Sequence, residues 1–556
     1  LALVAKTRKE YSIDWTWGQS EWSVEWSTSN VPGMDMAAGT APRRDRGRRR
    51  LRLSALALSS CLTMHCRVVG PALTTGLLYY LFLVVAVVVL ANPLRHFEVY
   101  LGQWSISGPG RAFRVVPMLD GIGLAMCITS VVRAINYCAM AAITMLYVVY
   151  SMSDSTLPFT YCRCVTYSIK QQLYSLVPKT NITIFSSKEM KFELLKCNET
   201  YPGSYPFFYM LVYISNRYKT FITLAQKDLI SLWNNLYHWI VAVPWIWVTC
   251  LAVFASMTVS SPKRVIKQIF KLGKIDIFSV RIGLADAFLV SLYIHSAGTG
   301  TEIIHGKGLN HYASGHIDPL LNADNVWHSG MVLALAVLHA AAATVCAVGD
   351  VSHLDVASIM WVIPMYSKCT AHGNYSHTMS TIIFGGLTFS YIVVAYTLIK
   401  TALHTIFEYK VKLVFVEQLV VFAMICSCFL LSLPYATTGG LALLESVDSL
   451  ITGLALPSVC LIELVALVYL YRSPDFRSDL NIATEENTCN SRINTSWTFI
   501  PAVVLIGQII SVSNTELPSL AMCIALAPLL AAALAVPLRA LHNAIVFMHP
   551  APRRGV

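Results

Sequence analysis

The chain is 556 residues long, 55% hydrophobic and only 13% charged, with a formal net charge of +11. That balance excludes a soluble enzyme of this length and fits a protein that crosses the membrane many times. The surplus Lys and Arg sits in loops and tails and no basic domain follows it, so the expected partners are a lipid bilayer and a small solute, with no nucleic acid.

Residues 1–52 read as a cytoplasmic tail. The stretch KTRKEYSIDWTWGQSEW is polar and aromatic, not a short basic stub before an apolar core, so no signal peptide is expected in it. The run RRDRGRRRLR at 43–52 precedes the first spans and reads as cytoplasmic by the positive-inside rule. A spanning helix needs about 20 mostly apolar residues. Apolar runs of that kind lie near 73–92, 121–152, 235–257, 282–304, 328–349, 379–400, 414–433, 450–471, 499–513 and 518–537. The transmembrane domain is therefore expected over 53–541, and a cytoplasmic C-terminal tail over 542–556.

The longest polar loop, 153–231, holds the glycosylation sequons Asn181-Ile-Thr and Asn198-Glu-Thr and the cysteines Cys162, Cys164 and Cys197. Sequons beside cysteines favour an extracellular face, where disulfides persist. A third sequon begins at Asn374. A fourth, at Asn494, lies among Arg472, Arg477 and Arg492 and reads as a cytoplasmic decoy. The basic stretches SPKRVIKQIFKLGK (261–274) and EYKVK (408–412) also read as cytoplasmic. The remaining cysteines, out of fifteen, mostly lie in apolar runs, and no CxxC pair suggests zinc. No catalytic residues, metal site or P-loop are expected, which argues against both an enzyme and a primary pump.

Several segments share one further pattern. PLRHFEVYLGQ (93–103) resembles the P-L-x-x-x-E-x-x-L-G-Q end of the second helix in the sodium- and chloride-dependent neurotransmitter symporters. VPMLDGIGLAM resembles that family's P-x-x-x-G-x-G opening of helix three, and LPFTYC (157–162) its L-P-W-x-x-C start of the large glycosylated loop. CFLLSLPYATTGG followed by LLESVD is similar to the turn between helices nine and ten. IELVALVYLYRSPDFRSDL and SWTFIPAV resemble the end of helix ten and the start of helix eleven. The matches run in the family's order from about 70 to 540. The resemblance implies an all-α inverted-repeat bundle with discontinuous helices, nominally twelve spans of which about ten are readable here. It further implies a multi-pass plasma-membrane transporter of an amino acid, amine or related solute working by alternating access, with sodium and chloride as the family's ions. Two departures stand out. The G-N-V-W-R-F-P motif of helix one is absent from ALSSCLTMHC (57–66). No apolar stretch corresponds to helix five, and a single missing span would turn Asn374 towards the cytoplasm.

The resemblance assigns roles residue by residue. Gly298 and Gly300, flanking Thr299, fall where helix six unwinds and frees backbone groups for a ligand. The alternative at these glycines is close helix packing through small residues. Tyr137 matches the tyrosine that contacts the substrate carboxylate. Arg133, one turn earlier on the same face, stands where the family has an apolar residue; it either serves the site or pairs with an acid such as Glu98 or Glu302. The sodium positions carry Ile294, Leu333, Thr388 and Phe389, with Leu58 in helix one, and the chloride-site glutamine becomes Val290. Sodium, a hard cation, wants oxygen ligands that these apolar side chains lack. These departures from the family suggest a fixed charge from Arg133 in place of bound sodium, with transport by uniport, exchange or proton linkage. Asp448 matches the acid of the extracellular gate, whose arginine partner aligns with Cys61, and the loop disulfide is expected between Cys162 and Cys197, with Cys164 as the other choice. Two further readings stand beside this one: a transporter-fold protein that no longer transports, and a membrane haem oxidoreductase using His328 with His339 and His295 with His305.

Overall fold

The computed structural model describes residues 75–153, four strands within 166–196, and 277–307, 325–337, 376–436, 440–484, 491–512 and 519–548, apart from a few isolated positions. It is almost entirely helical, as expected for a polytopic membrane protein, and six of the described helices are long and apolar enough to cross a membrane. Two short hairpins, β1 (Thr166–Ile169) with β2 (Gln172–Ser175) and β3 (Asn181–Phe185) with β4 (Phe192–Lys196), are the strands among the described residues. They lie in the large polar loop and place the sequon residue Asn181 opposite Lys196.

Helix α1 (Leu77–Ser105) has two chemically distinct faces. Leu81, Val84, Val85, Val88 and Val89 are exposed, while Leu83, Val87, Leu90 and Leu94 are buried. Exposed apolar surface of this extent suits lipid, not water. The helix widens into a π segment at Val87–Ala91, directly before Pro93. Proline has no N–H for the i−4 carbonyl, so the helix opens by one residue just before it. The same arrangement recurs in α8 (Leu443–Leu470), where the π segment Ile451–Ala455 precedes Pro457.

The other elements, in chain order, are α2 (Ile122–Ser153), α3 (Ile277–Ile294), α4 (Thr301–Lys307), α5 (325–334), α6 (Ser376–Tyr409), α7 (Glu417–Ser432), α9 (Ser473–Thr484), α10 (Ser491–Val512) and α11 (Ser519–Met548). The tail boundary expected at 542 falls inside α11, which runs on to Met548. The expected spans at 235–257 and 338–349, and the helix-one region before 68, lie outside the described residues.

The long helices α2 and α6 pack along each other. Ser151 bonds Ser380 (2.6 Å), Tyr147 stacks on Phe384 (4.6 Å between centroids), Thr388 donates to Thr144 (2.8 Å), and Tyr137 meets Tyr391. Helix α4 seats on α1 through two glycines. A Cβ on Gly102 would stand 1.9 Å from the Ile303 carbonyl oxygen, and one on Gly306 2.1 Å from that of Val99. Only hydrogen at both positions lets the backbones approach this closely. Trp497 of α10 donates its indole N–H to the Pro93 carbonyl (3.0 Å) and packs on Phe97, Tyr100 and Phe476. Helix α11 is tied to the start of α2 by Arg539 on Asp120 (2.9 Å) and Asn543 on the Pro117 carbonyl (2.9 Å).

Candidate solute site

The segment SLYIHSAGTGTEII is broken. Helix α3 ends at Ile294 and α4 begins at Thr301. Between them Ser296 (φ 50°), Gly298 (φ 71°) and Gly300 (φ 79°) all take the left-handed conformation. Alternating left-handed residues cannot continue a right-handed helix, and glycine meets no Cβ penalty there. The surroundings demand glycine as well: a Cβ at Gly298 would lie 2.7 Å from Cys460 Sγ, and one at Gly300 2.2 Å from Pro109. The helix break and the close packing through small residues, the two readings open from the sequence, are thus both present at these glycines.

Other elements hold the loosened backbone. Glu98 of α1 accepts the Gly298 N–H at 2.7 Å, and Glu463 of α8 lies against Glu98. Ser130 of α2 donates to the Thr299 carbonyl at 3.3 Å, one turn below Arg133 on the same helix. The Thr299 hydroxyl donates back to the Ser296 carbonyl (2.5 Å) and meets Thr301, which reaches Thr401 of α6. This is irregular backbone satisfied by buried neighbours, the condition under which such backbone is tolerated within a membrane.

Arg133 and Tyr137 point the same way, as their spacing requires. Arg133 Nη2 donates to the Tyr137 hydroxyl at 3.0 Å, and the guanidinium lies over the Tyr293 ring, 3.9 Å from its centroid. The arginine is 3% exposed, and its Nε and Nη1 have no hydrogen-bond partner among the described residues. The acids offered as its partners lie elsewhere: Glu98 is on Gly298, and Glu302 is engaged by Arg95. Asp448 is drawn in instead. Thr452 donates to it at 3.1 Å, the Tyr293 hydroxyl meets Thr452, and Asp448 acts electrostatically on Arg133. Sequence reasoning left this gate acid without a partner because Cys61 stands at the family's arginine position. The structure sets it within electrostatic range of a different arginine.

The expected ion positions are mixed. Val290 and Ile294 are buried and apolar, Leu333 is half-buried on α5, and Phe389 is half-buried on α6. Thr388 has the one side-chain oxygen among these positions, and it bonds Thr144 and the Phe384 carbonyl at 2.8 Å each. The side chains present do not fit a sodium shell built from those positions. Leu58, Cys61, Cys162, Cys164, Cys197, Asn198, His339 and Asn374 lie outside the described residues.

Tyr293 and Thr452, which sequence reasoning missed, join the arginine to the acid. An aromatic with a hydroxyl just before a helix break was the signal available for Tyr293. Thr452 gave none, because a threonine in an apolar helix usually bonds its own backbone. The histidine pairs are rearranged too. His295 and His305 stand on opposite sides of the break, so their ten-residue spacing no longer sets a shared face. His295 is hydrogen-bonded to Asn92, and His328 to Arg95.

The comparisons with known proteins agree with this architecture. The family model described as the sodium:neurotransmitter symporter family matches residues 75–546. The chain is also similar to the mouse (Mus musculus) sodium- and chloride-dependent neutral and basic amino acid transporter B(0+), with 36% identity over 70 residues. That match covers 13% of this chain and 11% of the mouse protein. A helix broken at the expected glycines, a tyrosine on the facing helix and a family match over most of the length converge: the chain belongs to the sodium:neurotransmitter symporter family.

Proposed function

We propose that the chain carries a small solute with a carboxylate, such as an amino acid, across the membrane by alternating access, binding it at the break between α3 and α4. The observation that carries this reading is Arg133. It is a buried guanidinium with two nitrogens, Nε and Nη1, unpartnered among the described residues, beside the helix break at 296–300. A charged side chain at this depth costs at least ~2.5 kcal/mol and faces a cavity or a partner. A guanidinium matches a carboxylate in shape and charge. Tyr137 orients the arginine and presents its own hydroxyl to the same ligand. The stacked Tyr293 covers the cation, and Asp448 stands beyond Thr452 as the outer acid.

In this reading Arg133 supplies the positive charge that bound sodium supplies elsewhere in the family, and transport is not sodium-driven. The positions expected for sodium ligands offer Ile294, Leu333 and Phe389, and a threonine already bonded to α2. The test is uptake of tritiated leucine, alanine and lysine by proteoliposomes of the full chain, with sodium replaced by choline. Uptake should persist in choline and fall at least tenfold in Arg133→Gln. Uptake that vanishes without sodium and is indifferent to Arg133 would overturn the assignment.

A further inference from the structure

The histidines that the solute site does not use form a second buried constellation on the other side of α4. Arg95 of α1 is 2% exposed and reaches three partners: Glu302 Oε2 with Nε (3.3 Å), and Asn325 Oδ1 (2.6 Å) and His328 Nδ1 (3.2 Å) with Nη1. His328 Nδ1 must accept this bond, since arginine only donates. The His328 ring lies 5.8 Å from that of His295, whose Nε2 meets Asn92 Oδ1 at 3.3 Å. His96 Nδ1 sits between the Asn92 carbonyl (2.9 Å) and the Asn325 amide (3.1 Å). The first contact asks that nitrogen to donate and the second asks it to accept, so its proton decides which one forms.

Glu302 is the hinge of the constellation. One of its oxygens, Oε2, serves both Arg95 from α1 and His305 Nδ1 from its own helix, at 3.3 and 3.5 Å. The Arg95 bond ties α4 to α1. The His305 contact is an i,i+3 pair within α4. A proton on His305 turns that contact into a full ion pair and sets a second cation against the oxygen that Arg95 uses. Loss of the proton leaves that oxygen to Arg95. His305 is also the least buried of the four histidines. Glu302 and His305 stand two and five residues past Gly300, so the tie bears directly on the break.

The groups facing this cluster are Arg95 and His96 on α1, His295 at the end of α3, Glu302 and His305 on α4, and His328 on α5. Glu98 lies one turn along α1, its carboxylate on Gly298. At the far end of α4, Lys307 is engaged by Glu408 of α6 (3.0 Å), with His404 3.6 Å from the same carboxylate.

Buried chains of acid and histidine mark proton paths in transporters. We propose that this cluster is a proton-binding site, with His305 as its outermost group and Glu302 as its switch, that couples proton movement to the rearrangement of the α3–α4 break. It rests on the transport reading above and names the ion that would take sodium's place.

Two measurements on the full chain separate the proposal from that reading. The first is hydrogen–deuterium exchange of the 293–307 peptide, corrected for the intrinsic effect of pH and needing no solute. Acidification should lower protection of this peptide about tenfold, a typical coupling strength. His305→Gln should abolish the response, and His305→Lys should show the low-pH exchange already at neutral pH. Protection that does not depend on pH, or depends on it equally in all three proteins, overturns the proposal. The second is tritiated leucine uptake by sodium-free proteoliposomes holding pyranine. An inward proton gradient should drive accumulation with internal acidification, reduced about tenfold in His305→Gln while downhill exchange persists. Solute that moves without responding to the gradient sinks the proton coupling and leaves the transport reading standing. No solute movement for leucine, alanine or lysine, even with a pH-sensitive break, sinks the transport reading and the coupling role with it.

Discussion

Gly298→Ala tests the break most sharply, because two separable effects meet at one atom. The residue sits at φ 71°, a conformation that costs an L-residue with a Cβ about 1–2 kcal/mol. Its new Cβ would stand 2.7 Å from Cys460 Sγ and 3.1 Å from the Leu456 carbonyl oxygen. Overpacking of this kind costs roughly 1–3 kcal/mol. The single variant should therefore lose about 2–5 kcal/mol. Cys460 is fully buried in α8, and truncating it to alanine removes the sulfur and opens space at the same place. In the double variant Gly298→Ala/Cys460→Ala, most of the overpacking should vanish and the backbone strain should remain. The assay is the unfolding midpoint of the purified protein in nanodiscs for the four members of the cycle. The coupling between the two sites should favour the double variant by about 1 kcal/mol or more. Strictly additive losses would show that Gly298 does not approach Cys460, and the geometry of the break described above would be refuted.

Further outcomes follow from other contacts. Gly306→Ala drives a methyl group to within 2.1 Å of the Val99 carbonyl oxygen and should lower the melting temperature markedly, whereas Gly330→Ala, with nothing within 4 Å, should not. Glu408→Gln removes the charge that accepts the Gly108 and Gly110 N–H groups at 2.5 and 3.1 Å and pairs with Lys307, and should weaken the 106–112 segment by about 2 kcal/mol, read as faster deuterium exchange there. Asp120→Asn breaks the bond to Arg539 and should raise proteolysis near the C-terminal end of α11 while leaving tritiated leucine uptake in place. Tyr137→Phe removes the acceptor of the Arg133 bond and should reduce uptake several-fold by raising KM more than it lowers kcat.

Much of the membrane architecture was legible because each spanning helix must be a long apolar run, a constraint a linear reading detects directly. The break was legible for a related reason: Gly298 and Gly300 flank a polar residue within such a run, and their conformation requires glycine. The partners of the break were not. Glu98 read as part of a helix-end motif, yet it folds back across 200 residues to the Gly298 N–H. Arg133 read either as a site residue or as the partner of an acid such as Glu98 or Glu302, and both acids are committed elsewhere. The Arg95–Glu302–histidine cluster was invisible as a unit because its members come from α1, α3, α4 and α5, and only the close seating of α4 on α1 through Gly102 and Gly306 brings them together. The hairpins β1–β2 and β3–β4 went unread because a loop full of sequons and cysteines offers no long periodic stretch, and four- and five-residue strands leave a weak pattern.

The central claim is that Arg133 takes the place of sodium in holding a solute at the helix break. The most direct measurement is the shift in unfolding temperature of the full chain with leucine, alanine or lysine in sodium-free buffer, since a ligand bound only by the folded state stabilises it in proportion to its affinity. The account predicts a saturable upward shift with at least one of them in wild type, unchanged by added sodium and lost in Arg133→Gln. A shift that develops only with sodium, and survives in Arg133→Gln, would contradict it.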